Sequence, residues 1–199
     1  FIYLPEVAFD QDAFLHDLEK AFEKNCNLIV CVSEGIHDAD GTFICEYDSS
    51  VGTDTFGHKM LAGCGKYLEN LVRSRLGVKA RSVELNVSQR CSATLISATD
   101  QQEAIAAGKF GVQAALDGET GKMVSFIRQT DTAGSYQMVC GLEDVNAICN
   151  EEKTVPVEWI TPDGHDVTED FIYYARPLIQ GNINVPLGED GLPEFVYRK

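Results

Sequence analysis

The sequence predicts an α/β fold built on a parallel sheet, and three observations carry that prediction. Two short apolar runs, Phe1-Ile2-Tyr3-Leu4 and Leu28-Ile29-Val30-Cys31-Val32, have the length and unbroken apolarity of strands buried in a parallel sheet. Between them Phe14, Leu15, Leu18, Ala21 and Phe22 recur at the spacing of one helical face. A longer amphipathic stretch then leads through Gly77 into a third strand-like run, so strands and helices alternate in the βαβ manner. Such sheets gather ligands outside the carboxyl ends of their strands.

Taken in order, Pro5 halts the first run and leaves Glu6 at its carboxyl end. The helix that follows has Asp10 or Asp12 as its cap and Asn25 near its stop. Ser33-Glu34-Gly35 ends the second strand. His37-Asp38-Ala39-Asp40-Gly41 carries turn chemistry, and the stretch to about Gly52 reads as a surface excursion, with a hairpin as one option. Its Asp-x-Asp-Gly invites a calcium reading, but a calcium loop needs glycine at its sixth position and a late bidentate glutamate. The glycine here comes fourth, so the turn reading is preferred.

Asp54 opens a long helix with Phe56, Met60, Leu61, Cys64, Tyr67, Leu68, Leu71 and Val72 on one face, and Gly77 is its stop. The third strand runs from there to Arg90, framed by Arg81 and the pair Gln89-Arg90. Thr99-Asp100-Gln101-Gln102 resembles a capping box, opening an alanine-rich helix that Gly118 stops. Met123 to Ile127 reads as a strand, Leu142 to Cys149 as a short helix, and Glu169 to Ala175 as a last helix broken before Pro177. The tail from Gly181 reads as irregular.

Composition narrows the function. The 199 residues are 44% hydrophobic, enough for one sizeable core or two small ones, and the formal charge is −15. That charge disfavours a broad grip on nucleic acid or an anionic membrane, so an anion must be held locally. No apolar run approaches the roughly 20 residues of a membrane span. Seven cysteines, scattered and without a Cys-x-x-Cys pair, fit reduced thiols in a cytoplasmic protein. The chain starts at Phe1, without methionine and inside an apolar run, which points to a piece of something longer.

The arginines of the third strand carry the most chemistry. A guanidinium holds phosphate through paired, planar hydrogen bonds, and two of them framing one strand suggest a specific phosphate site. The plainer reading is that Arg81 and Arg90 are surface residues pairing with some of the 31 acids. Glu6 is either a solvated loop charge or a ligand at the sheet's edge. Glu34 either lines the cleft or bonds its own loop. His58 sits early in its helix, where packing or capping suits it better than acid-base work, and His16, His37 and His165 belong to no constellation. Cys91, next to Arg90, is read as structural rather than as an activated thiol.

These residues resemble the phosphofructokinase family, most closely its pyrophosphate-dependent bacterial members. The resemblance rests on Leu4-Pro5-Glu6, Val32-Ser33-Glu34-Gly35, Asp54-Thr55-Phe56-Gly57-His58, Arg81, Gln89-Arg90, and Ser97-Ala98-Thr99-Asp100 with Glu103-Ala104. It runs from Phe1 to about Arg128, with a further echo in Tyr174-Ala175-Arg176-Pro177-Leu178. It implies that Glu6 accepts hydrogen bonds from fructose hydroxyls. Arg90, and Arg81 from a neighbouring subunit, would hold the sugar's 6-phosphate. The family's histidine or tyrosine three residues before the Gln-Arg arginine is replaced by Val87, which cannot donate a hydrogen bond.

What the resemblance implies further is a 6-phosphofructokinase that phosphorylates fructose 6-phosphate at its 1-hydroxyl in glycolysis. Pyrophosphate is favoured over ATP as donor, with Mg2+, in a homo-oligomer of two or four subunits. The family's Gly-Gly-Asp donor loop and its Thr-x-Asp-x-Asp segment are absent from this sequence. The chain would therefore be the carboxyl-terminal half, with no catalytic residues and no metal ligands of its own, and inactive alone. The implied architecture is three-layered: residues 1–90 form the sugar-phosphate domain, 91–150 a returning, incomplete part of the donor domain, and 151–199 a partly irregular extension. The incomplete part would expose apolar surface, to be covered by the missing amino-terminal half or by self-association. The alternatives are a non-catalytic sugar-phosphate binder and a structural subunit with the same fold, which Val87 keeps open.

Overall fold

The computed structural model describes residues 1–47, 63–130 and 134–194, apart from the side chains of Gln89, Arg90 and Thr94. The chain forms two compact units: residues 1–86 with 154–171, and residues 87–153 with 172–199.

In the first unit, β1 (Ile2–Tyr3) pairs in parallel with β2 (Cys31–Val32), Ile2 opposite Cys31 and Tyr3 opposite Val32. The pairing extends past the ladder, since Ser33 N–H donates to Tyr3 O at 3.0 Å. Between the strands, α1 (Gln11–Phe22) starts where Asp10 Oδ1 accepts from the N–H groups of Asp12 and Ala13, both at 2.9 Å. Asp10 is therefore the cap. The helix buries Phe14, Leu15 and Leu18 against Tyr3, Phe9, Ile36 and Ile44, and α2 (Cys64–Leu76) adds Leu68 and Val72. The rings of Tyr3, Phe9 and Phe14 lie 5.2–5.5 Å apart in edge-on or tilted pairs, the arrangement their quadrupoles favour. Leu28, Val30 and Val32 pack against this core, whereas Ile29 is 80% exposed and Cys31 is exposed, so β2 and the residues leading into it are covered on one face only.

The turn after β2 is tied by Asp38, whose Oδ1 accepts from Asp40 N–H at 2.9 Å and Thr42 N–H at 2.8 Å, and whose Oδ2 accepts from the Tyr47 hydroxyl. A single antiparallel bridge, His37 to Phe43, and a 3-10 turn at Ile44–Tyr47 stand where a hairpin was one option. The predicted start of the second helix at Asp54 falls outside the described residues. Gly63, at φ 95°, immediately precedes α2, so a helix unbroken from Asp54 to Gly77 is not what forms. Gly77 is the stop, at φ 66°, as the sequence predicts.

The predicted third strand is corrected. Residues 77–85 make no ladder with any described residue, and Asn86–Cys91 form a short helix, α3. Strand identity needs a hydrogen-bonded neighbour, and here the backbone N–H of Ser82 goes instead to the Glu69 carboxylate on α2, at 2.9 Å.

Residues 154–171 return to the first unit. Ile160 and Val167 bridge, Thr168 N–H donates to Trp159 O at 2.9 Å, and Ile2 N–H donates to His165 O at 2.8 Å.

The second unit holds α4 (Ala98–Leu116), capped by Ser97, whose Oγ accepts from Asp100 N–H at 3.0 Å, two residues before the predicted Thr99. β3 (Lys122–Thr130) and β4 (Tyr136–Asp144) form an antiparallel hairpin in register from Lys122 opposite Asp144 to Thr130 opposite Tyr136. β4 was not predicted as a strand, and the predicted helix from Leu142 shrinks to α5 (Val145–Ile148). α6 (Glu169–Ala175) matches its prediction and spans the boundary between the units. Arg128 of β3 ties this unit together. Its guanidinium donates to Tyr174 O at 2.9 Å and lies 4.6 and 4.9 Å from the ring centres of Tyr136 and Tyr174.

Candidate functional site

The candidate site begins at the carboxyl ends of β1 and β2, which a parallel pair places on one edge. After β1 the chain turns at Pro5-Glu6, closed by Val7 N–H donating to Leu4 O at 3.4 Å. The Glu6 side chain is held by the returning segment, where Val155 N–H donates to Oε1 at 2.7 Å. Its other oxygen, Oε2, is buried and has no hydrogen-bond partner among the described residues. A buried carboxylate oxygen left without a donor carries a desolvation cost that a bound hydroxyl would offset. Gly164 sits at φ 77° where a Cβ would approach Val7 Cγ1 to 3.1 Å, so the returning segment seats close against this turn.

At the end of β2, Ser33 makes the loop's own bonds: its Oγ accepts from Gly35 N–H at 3.4 Å and its carbonyl from Ile36 N–H at 3.4 Å. Glu34, between them, is exposed and accepts no hydrogen bond among the described residues. The loop therefore does not need its carboxylate. Behind it, Cys64 Sγ lies 3.8 Å from Ser33 O.

Arg81 lies on the extended segment after α2, exposed and without an acidic partner among the described residues. Its neighbour Ser82 is bound twice by Glu69, through N–H at 2.9 Å and through Oγ at 2.7 Å. Glu69 is further held by Lys66 at 2.8 Å and Arg73 at 3.4 Å. Its pKa is lowered to about 2, by the Lys66 ammonium first and then by the bonds from Ser82. Arg90 lies on α3, at the start of the second unit, with its side chain outside the description. Val87 is 68% exposed on the same helix.

Glu6, Glu34 and Arg81 thus belong to one unit, and Arg90 to the other. The Asp54 to His58 segment lies outside the described residues. Val155 and Glu69 escaped the sequence reading. Nothing local marks Val155, a backbone donor 149 residues away from its acceptor. Glu69 shows only as one acid among the charges of an amphipathic helix. Among the described residues, no three His, Cys, Asp or Glu side chains cluster to hold a metal ion. No described helix is long and apolar enough to cross a membrane.

No protein-family model matches the chain. It is 36% identical over 198 residues to the pyrophosphate–fructose 6-phosphate 1-phosphotransferase of Xanthomonas campestris pv. campestris, covering 100% of this chain and 46% of that protein. It is 35% identical over 156 residues to the ATP-dependent 6-phosphofructokinase 2 of Streptomyces coelicolor, covering 78% of this chain and 42% of that one. The crystal structure of the pyrophosphate-dependent phosphofructokinase from Nitrosospira multiformis matches with a TM-score of 0.78 at 30% identity, over 98% of this chain and 44% of that one. The chain spans less than half the length of each of these proteins. With a likeness in both sequence and backbone that covers essentially all of its residues, the chain belongs to the phosphofructokinase family.

Proposed function

We propose that this chain supplies the acceptor side of a 6-phosphofructokinase, binding fructose 6-phosphate so that its 1-hydroxyl is presented to a phosphoryl donor. The supporting observation is the 36% identity with a pyrophosphate–fructose 6-phosphate 1-phosphotransferase along all of this chain. Pyrophosphate is the favoured donor, since the solved structure of similar fold carries that specificity in its name, while the ATP-dependent relative keeps ATP as the alternative. Arg90, with Arg81 from a neighbouring subunit of a dimer or tetramer, holds the 6-phosphate, and Glu6 Oε2 accepts from a sugar hydroxyl. Clamping the remote phosphate fixes the far hydroxyl for in-line attack, which removes orientational freedom from the reaction step. The donor loop, the base and the Mg2+ ligands are assigned to sequence outside this chain, because the Gly-Gly-Asp and Thr-x-Asp-x-Asp segments expected of the family do not occur in it. Glycolysis in the cytoplasm is the matching setting.

Hydrogen bonds to charged groups contribute about 1.5–3 kcal/mol, so Arg90→Ala in the full-length enzyme should raise the KM for fructose 6-phosphate about ten- to hundredfold. An unchanged KM rejects the assignment. One observation supports a second reading of the sugar acid. Glu6 spends one oxygen on Val155, whereas Glu34 on the same edge is exposed with both oxygens uncommitted among the described residues. Glu6→Gln and Glu34→Gln, assayed side by side, separate the two: the ligand is the residue whose loss raises KM without lowering the melting temperature.

A further inference from the structure

We propose that Glu69 is a positioning residue for the phosphate site: it pins Ser82 to α2 and so sets where the adjacent Arg81 guanidinium is presented. The proposal rests on the reading of Arg81 as a 6-phosphate ligand and deepens it.

The segment that carries Arg81 has no ladder to hold it. Residues 77–85 form neither helix nor strand, and Val83 and Leu85 are 80% and 53% exposed. Val78 and Ala80 at its start pack against the core, and beyond them the two hydrogen bonds from Ser82 to Glu69 Oε2, at 2.9 and 2.7 Å, tie the chain beside Arg81 to α2. Gly65, one turn before Glu69 on the same face of α2, lies where a Cβ would stand 3.4 Å from Ser82 Cβ, at ordinary contact. The Glu69 side chain is 10% exposed, and Oε1 is taken by Lys66 at 2.8 Å and Arg73 at 3.4 Å.

Saturation of this carboxylate has a second effect. In a chain of net charge −15, an arginine beside an unoccupied acid would be neutralised by it. Glu69 is instead filled by Lys66, Arg73 and Ser82, and Arg81 keeps its charge free of acidic partners among the described residues. The lowered pKa keeps the carboxylate ionised through and below the ordinary carboxylate range, and the tie is lost only as the pH falls through about 2. The device therefore does not titrate at physiological pH.

The test is steady-state kinetics on the full-length enzyme, with fructose 6-phosphate varied at saturating donor. Glu69→Ala should raise the KM for fructose 6-phosphate about tenfold while kcat stays within about twofold, as expected when a ligand is misplaced rather than removed. In an Arg81→Ala background the same change should add less than about twofold, because a residue that acts through Arg81 has nothing left to position. Ser82→Ala leaves the Glu69 ion pairs in place and should raise KM about threefold, and Ser82→Thr, which keeps the hydroxyl, should restore it. Equal Glu69→Ala effects in both backgrounds, a parallel loss of kcat, or an unchanged KM in Glu69→Ala alongside a raised one in Arg81→Ala each overturn the proposal. An unchanged KM in Arg81→Ala itself removes the underlying phosphate assignment, a distinguishable result.

Discussion

Two opposed forces act on the thiol of Cys64. It stands at the first turn of α2, where unsatisfied backbone N–H groups favour a thiolate, yet it is 6% exposed and its pKa is pushed up to about 11. Burial is the largest cause, and Cys45, Glu84 and Glu34 add to it. Desolvation wins because a helix terminus is worth at most about 2 kcal/mol, while stripping water from a charge costs more. A rise of two units from the ordinary value leaves about a hundredfold less thiolate at pH 8. Alkylation of the native protein with iodoacetamide at that pH, read by mass spectrometry, should therefore label exposed Cys26, Cys31, Cys91 and Cys149 well before Cys64. Cys64 labelling at the rate of Cys26 would show that the thiol is not buried as described. Single residues also mark the limit of what the sequence tells. Glu6 could be picked out because Pro5 stops a strand next to it, but the donor that holds it comes from the far end of the chain, and only folding brings Val155 within 2.7 Å.

Elements were legible where their causes are local. Asp10 is two and three residues from the N–H groups it caps, so α1 starts where a cap search places it. Exchanging Asp10 for alanine leaves those donors to water and should cost about 1 kcal/mol, whereas asparagine, also a good cap, should cost only a few tenths. Urea denaturation checks both. Because α1 carries Phe14, Leu15 and Leu18 into the core, the midpoint should fall without a change in slope, and a midpoint untouched by the alanine variant would contradict the cap. Elements were illegible where a partner decides. Residues 82–87 alternate Val83, Leu85 and Val87 with polar Ser82, Glu84 and Asn86, a sound strand pattern, but the ladder that would make them a strand is not formed by any described residue. β4 failed in the opposite direction. Tyr136, Met138, Cys140 and Leu142 do alternate, and their exposures follow the alternation, yet Gly141 and the acids at its end mask the signal until β3 pairs with it. A Cβ at Gly141 would stand 2.6 Å from Ile127 Cδ1, so a larger residue there would make the partly exposed Ile127 side chain shift.

The molecule as a whole is two units that both leave apolar side chains in water. In the second, Ile105, Val112 and Leu116 of α4 are 51%, 64% and 77% exposed, and Phe126 of β3 is 57% exposed; in the first, Ile29 and Val83 are both 80% exposed. Scattered exposed apolar residues are ordinary, but a 19-residue helix with no buried residue at all lacks the packed face that normally stabilises it. The relatives are more than twice as long, which is the simplest source of what would cover these faces. Under the proposed function, acceptor binding lies in this chain and the donor chemistry outside it. Phosphoryl transfer depends almost wholly on positioning the donor and neutralising its charge, and gripping the acceptor's remote phosphate does neither. The 199-residue polypeptide, incubated with fructose 6-phosphate, Mg2+ and either pyrophosphate or ATP, should therefore form no fructose 1,6-bisphosphate above the uncatalysed background. Adding the remainder of the full-length protein as a separate chain should restore product and bury Phe126, seen as loss of binding of a hydrophobic dye. Turnover by the polypeptide alone would mean that donor groups lie within it, and would overturn the assignment of the donor side to sequence outside this chain.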